Sequence, residues 1–150
     1  MKRDYLLAPF LILLILPFVA VAQTNVNVQT LLQRATIFAS PAQEAVIVGS
    51  AFEVGFFVNS EGRSINAVEL NLTFPPDKLQ IVKPAGGQSI ISIWAEPPRY
   101  SNEAGTAHFT GVIPDGIVTQ AGLITNVTFR ALAPGTAPVT IAASSKVLAN

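Results

Sequence analysis

Along most of the chain, short apolar runs alternate with turn residues, and within several runs apolar and polar side chains alternate one by one. Phe52, Val54, Phe56 and Val58 fall on one face of such a run, with Glu53, Gly55 and Asn59 on the other. Val68, Leu70, Leu72 and Phe74 share a face opposite Glu69, Asn71 and Thr73. Leu123, Val127 and Phe129 share one opposite Asn126, Thr128 and Arg130. A period of two belongs to a β-strand, whose side chains point alternately to either side, so each run is buried on one face and wet on the other. The runs predicted to be extended are 35–40, 44–48, 51–59, 65–74, 78–82, 89–94, 107–113, 123–131, 137–142 and 146–149. The turns between them are predicted at Gly49-Ser50, Glu61-Gly62, Pro75-Pro76-Asp77, Pro84-Ala85-Gly86-Gly87, Pro97-Pro98, Glu103-Ala104-Gly105, Pro114-Asp115-Gly116, Ala121-Gly122 and Pro134-Gly135. Proline presets a turn dihedral there and glycine supplies positive φ. Many short strands at this spacing, with no long helical period, predict an all-β domain of two packed antiparallel sheets.

The start of the chain has another character. Lys2 and Arg3 precede an apolar run from Tyr5 to Val19, and Ala20-Val21-Ala22 follows. A positive start, a greasy middle and small residues at the end form an export signal, and Pro17 breaks the helix just before the cleavage site. Residues 1–22 are therefore expected to be a signal peptide cut after Ala22, and an uncleaved anchor helix is the other reading. Both readings export the rest. Residues 23–34 form a polar tether, and 35–150 form the domain.

Composition narrows the chemistry. Of 150 residues, 50% are hydrophobic and 12% charged, and 9 basic residues balance 9 acidic ones. Such a chain has too little basic charge to displace counterions from nucleic acid and too much apolar content to stay disordered. There is no cysteine, hence no disulfide or thiolate site, and one histidine, His108, so chemistry needing two imidazoles is excluded. Glu53, Glu61, Glu69, Asp77, Glu96, Glu103 and Asp115 are scattered over turns and outer faces rather than paired for acid–base work. Neither an enzyme, a cofactor nor a metal site is expected. Trp94 and Tyr100 are the candidates for stacking on a sugar ring, with Trp94 otherwise closing one end of the core or packing under Pro97-Pro98. Phe57 falls on the polar phase of its run, which implies a loop cover or an exposed contact. His108 precedes the apolar Phe109, so it is expected to point outward.

Several segments resemble a cohesin domain. They are Val48-Gly49-Ser50-Ala51-Phe52-Glu53-Val54, Ser64-Ile65-Asn66-Ala67-Val68-Glu69, and Leu72-Thr73-Phe74-Pro75-Pro76-Asp77-Lys78-Leu79-Gln80-Ile81-Val82. Gly105-Thr106-Ala107-His108-Phe109-Thr110-Gly111 is similar to that family's central strand, and the stretch 122–131 to its late long strand. Gly135-Thr136-Ala137 is similar to the turn that follows it. The order and spacing of these pieces, from Thr36 to Asn150, carry the resemblance. It implies a jelly-roll β-sandwich of about nine antiparallel strands, related to the cellulose-binding modules of families 2 and 3. It also implies a non-catalytic module that holds a dockerin on an extracellular scaffold or cell surface. Similar sequences run on through an Asp-Gly turn, so a further segment, such as a C-terminal anchor, is expected beyond Asn150.

The same resemblance implies where a partner docks. In cohesins it sits on the flat sheet of the third, fifth, sixth and eighth strands. Counted along this chain, those are the runs 65–74, 89–94, 107–113 and 123–131. The outward residues, and thus the expected partner-binding set, are Glu69, Asn71, Thr73, His108, Thr110, Asn126, Thr128 and Arg130. The alternative is a polysaccharide-binding module using Trp94 and Tyr100, and a third reading is a structural piece of a surface layer. The sequons Asn71-Leu72-Thr73 and Asn126-Val127-Thr128 lie within predicted strands and read as strand composition.

Overall fold

The computed structural model describes residues 34–149. The expected signal peptide and its cleavage site, and the tether up to residue 33, lie outside the described residues. Ten strands follow one another: β1 (Thr36–Ser40), β2 (Ala51–Asn59), β3 (Ile65–Thr73), β4 (Leu79–Lys83), β5 (Ile93–Trp94), β6 (Arg99–Ser101), β7 (Thr106–Ile117), β8 (Gly122–Ala131), β9 (Thr140–Ile141) and β10 (Lys146–Ala149). They form two antiparallel sheets. One has the order β1-β2-β8-β4; the other has β10-β3-β7-β5, with β6 also paired to β7 and β9 to β3. The expected sandwich is therefore present, with ten strands in place of about nine, because β6 and β9 are short pieces laid along longer strands.

The core lies between the sheets and is built by the alternation described above. Val54, Phe56 and Val58 on β2, Val68, Leu70 and Leu72 on β3, Phe109 on β7, and Val127 and Phe129 on β8 are all buried. Phe129 stacks on Phe52 at 5.9 Å and meets the edge of Phe74 at 5.5 Å, the offset and edge-on arrangements that aromatic quadrupoles favour.

Four sequence-based expectations are corrected. Residues 44–48 form no strand and are mostly exposed. Pro114-Asp115-Gly116 is no turn: it lies inside β7, where the register slips between Ile65↔Ile117 and Ala67↔Val112. The extra residues are absorbed as a bulge, with Gly116 at φ 65°. On β8 the register also shifts, Phe56 facing Thr125 and Phe57 facing Leu123. Ile124 is the inserted residue and is buried, so Leu123 turns to the outer side. Of the run 89–94, only Ile93–Trp94 is strand. The rest is a crossover, pinned by Ile90 N–H to Leu123 O (2.8 Å) and Ser92 N–H to Val112 O (3.2 Å).

The passages between sheets are tied to one another. Ser60 is fully buried; its N–H donates to Thr119 O at 2.8 Å, and its Oγ accepts from Thr119 N–H at 3.0 Å. The turn that follows holds Glu61 at φ 50° and Gly62 at φ 77°, closed by Arg63 N–H to Ser60 O at 3.1 Å.

Candidate binding face

The outer face of the six-stranded sheet is a lattice of rows running across the strands, since residues directly opposite in a ladder point to the same side. One row is Thr140, Thr73, Thr106 and Ser101, all carrying hydroxyls. The next is Asn71, His108 and Arg99, and then Lys146, Glu69 and Thr110. The last is Leu148, Ala67, Val112 and Ile93, an apolar row whose ends, Leu148 and Ile93, are 50% and 55% exposed.

A chain of hydrogen bonds links the polar rows, and its directions follow from donor chemistry. Glu69 accepts only, so the Asn71 amide must turn its Nδ2 to Glu69 Oε1, at 3.2 Å. That leaves Asn71 Oδ1 facing His108 Nδ1 at 2.6 Å, and Nδ1 therefore carries the proton. In the neutral ring Nε2 accepts, and the Thr110 hydroxyl donates to it at 3.0 Å. Lys146 Nζ closes the other end, 3.7 Å from Glu69 Oε2. The Asn71 amide, with smaller help from Lys146 and His108, holds the Glu69 carboxyl below the usual glutamate range against a partial desolvation cost. Ser145 fastens the strand beneath: its Oγ accepts from Asn71 N–H at 3.0 Å and donates to Asn71 O at 3.2 Å. Beside this chain is a shallow hollow of about 440 Å³, lined by Asn71, Thr73, Arg99, Tyr100, Thr106 and His108 among others.

Of the eight residues expected to bind a partner, Glu69, Asn71, Thr73, His108 and Thr110 lie together on this face. Asn126, Thr128 and Arg130 do not. They are on β8, which pairs with β2 and β4 in the other sheet. There Asn126 Nδ2 donates to Glu53 Oε1 at 2.8 Å, Thr128 lies between Glu53 and Lys83, and Arg130 between Ala51 and Gln80. The single plateau expected from strand counting is thus two faces on opposite sides of the sandwich. The six-stranded sheet is completed by β9 and β10 instead.

The sugar-stacking pair also separates. Trp94 lies opposite Gly111 on the inner side and packs on Phe109, with ring centroids 6.4 Å apart. Tyr100 is 44% exposed, on a different edge piece. The exposed aromatic contact is elsewhere: Phe57 stacks on Phe38 at 5.6 Å on the outer side of the four-stranded sheet. Sequence reasoning missed Leu148, Val112 and Ile93. Val112 continues the outward phase of His108 and Thr110, but the runs that hold Leu148 and Ile93 are too short to show one, and only the cross-strand register aligns the three. Among the described residues, no three His, Asp or Glu side chains come close enough to share a metal ion.

No protein-family model matches the chain, and no curated protein does. Solved structures do. The second type II cohesin module of the adaptor ScaA scaffoldin of Acetivibrio cellulolyticus aligns with a TM-score of 0.59 at 15% identity, over 74% of this chain and 71% of that one. The fold is that of a cohesin module. A type II cohesin domain from the cellulosome of the same organism aligns at 0.58 and 14% identity, covering 74% of this chain and 76% of that one. The sixth cohesin of its scaffoldin B, solved in complex with a variant Cel5 dockerin, aligns at 0.57 and 15%, covering 76% and 84%. The cohesin fold thus extends over the described sandwich, at identities that reflect shared architecture rather than shared surface residues.

Proposed function

We propose that this chain is a secreted, non-catalytic module that binds a protein partner on the outer face of its six-stranded sheet. The observation that carries the reading is the apolar row Leu148–Ala67–Val112–Ile93 lying beside a hydrogen-bonded polar strip, Glu69–Asn71–His108–Thr110. A dry centre with a polar surround is how specific protein interfaces are built. The row crosses four strands spaced about 4.8 Å apart, a span of about 14 Å, enough to lay two turns and more of an amphipathic helix across the sheet. The preset hydrogen bonds from Glu69 to Thr110, with the Lys146 ion pair at their end, keep the neighbouring polar groups in fixed directions before a partner arrives, which lowers the ordering cost of binding.

A dockerin-type partner on an extracellular or cell-surface scaffold is the proposal that fits the fold, since the solved scaffoldin B cohesin described above holds a dockerin. Within it, the contact set is Glu69, Asn71, Thr73, His108 and Thr110 together with Leu148, Val112 and Ile93. Asn126, Thr128 and Arg130 are left out, being on the opposite face. Polysaccharide binding has less support, because Trp94 is turned onto Phe109.

The test is calorimetric titration against a panel of dockerins. Ile93→Ala combined with Leu148→Ala is expected to weaken binding by about 2 kcal/mol, roughly 30-fold, with an unchanged melting curve. Arg130→Ala and Thr128→Ala are expected to leave affinity as it was. The opposite pattern would move the site to the four-stranded sheet, and cellulose retention abolished by Tyr100→Ala would favour the carbohydrate reading.

A further inference from the structure

We infer a second binding site, beside that face and sharing only Lys146 with it: the cleft between β10 and the residues leading into β1, which takes an extended peptide of alternating apolar and acidic residues. Among the described residues each of these strands is the last of its sheet, β1 of the four-stranded one and β10 of the six-stranded one. The outer edge of a terminal strand presents backbone N–H and C=O groups that no neighbour pairs, a template for adding a strand. Between β10 and the two residues that lead into β1, Arg34 and Ala35, is a cleft of about 260 Å³.

Its lining has two parts. Ala35, Ile65, Val147 and Ala149 give an apolar floor, continuous with the core. Arg34, Arg63 and Lys146 give a cationic rim, and no acidic side chain lines the cleft. Lys146 is shared with Glu69 at 3.7 Å. Arg34 and Arg63 are exposed, and neither forms an ion pair among the described residues. Arg63 is offered from a fixed base, because the turn behind it is closed onto buried Ser60.

The two-part lining selects the ligand. An extended peptide points successive side chains to opposite sides, so apolar residues at every second position would enter the floor while the acidic ones between them meet the arginines. Backbone bonds to an open edge supply affinity, and the alternation supplies specificity. Residues 23–33 of the chain itself carry no acidic group, so charge complementarity points to another molecule.

The experiment uses the full chain and a fluorescently labelled octapeptide of alternating valine and glutamate. Controls are the valine–lysine counterpart and a block peptide with four valines followed by four glutamates. Anisotropy should report saturable binding of the alternating acidic peptide only. Amide shifts should centre on Ala35, Val147 and Ala149. Binding should weaken at least tenfold in the double variant Arg34→Glu, Arg63→Glu, whose melting curve checks that it is folded. Ile93→Ala with Leu148→Ala should leave it unchanged, which separates this site from the proposed docking face. Absence of binding, equal binding of the lysine or block peptide, insensitivity to the arginine reversals, or shifts confined to the Leu148–Ile93 row would each overturn the inference. Saturation reached only by self-association of the chain would assign the cleft to a second copy.

Discussion

Replacing Phe129 by alanine tests the packing at its centre. The ring has no exposed surface, and it is held from two directions: Phe52, its direct ladder neighbour on β2, stacks at 5.9 Å, and Phe74 meets it edge-on at 5.5 Å. Its strand cannot shift to fill the gap, because β8 is bonded on both sides, to β2 and to β4. The loss therefore combines the transfer free energy of the ring with a cavity that does not collapse, in a range of about 3–5 kcal/mol. The two aromatic contacts, each worth about 0.5–1.5 kcal/mol beyond area, put the expectation near 4 kcal/mol. That is a large fraction of the ~5–15 kcal/mol that holds a domain together. Urea titration read by the fluorescence of Trp94, the only tryptophan, should show it. With a slope of about 2 kcal/mol/M, the midpoint should fall by about 2 M. Phe38→Ala, at a site 39% exposed and stacked on Phe57, should cost about 1–2 kcal/mol, clearly less than Phe129→Ala, and serves as the comparison. A fall below about 0.5 M for Phe129→Ala, which is about 1 kcal/mol at that slope, would refute the account of the core.

Two further outcomes follow from local geometry. Gly105 has φ 64°, its carbonyl accepts Phe74 N–H at 2.8 Å, and a Cβ there would lie 2.1 Å from the Phe74 carbonyl oxygen. Gly105→Ala should thus lose at least about 2 kcal/mol, since no rotamer relieves a clash with backbone; a melting temperature equal to the parent's would contradict this. Glu69 should titrate below the ordinary value of 4.5, and Asn71→Ala should raise its midpoint more than Lys146→Ala does, because the Asn71 bond is the largest cause. A carboxyl depressed in the folded state stabilises above its unfolded pKa and loses that contribution as pH falls through the folded one, so the parent should lose stability on acidification through this window and Glu69→Gln should lose less. Carboxyl NMR and acid melts of the two proteins check both signs.

Where one face of a strand is buried, the pattern of the chain was read correctly: β2 begins and ends where the alternation does, β10 matches its predicted run, and the outward sides of β3 and β7 are as expected. The misreadings have physical causes. One inserted residue in β8 reverses the phase and hid Ile124 behind Leu123, and β7 carries three extra residues against β3, so the proline and glycine of Pro114-Asp115-Gly116 serve a bulge where they looked like a turn. Arg99–Ser101 is polar and only three residues long, so nothing local marks it as strand. Which strands become neighbours depends on pairings far apart in sequence, and no periodicity encodes them. Hence Asn71 and His108 were correctly set on one face, Arg130 was wrongly added to it, and the Leu148–Ile93 row went unseen.

Ser60 and Thr119 give the sandwich a property that its two sheets would not have separately. Residues 60–64 carry the chain from β2 across to β3, and 118–121 carry it from β7 back to β8, so the pair clasps an outgoing passage to a returning one. Neither sheet can peel away without opening the clasp, and opening it exposes a buried serine and leaves amides of both passages unpaired at once. The two layers are thereby coupled into one cooperative unit. Amide hydrogens at Ser60 and Thr119 should exchange with solvent only through the opening of the whole domain, however readily the strand ends fray.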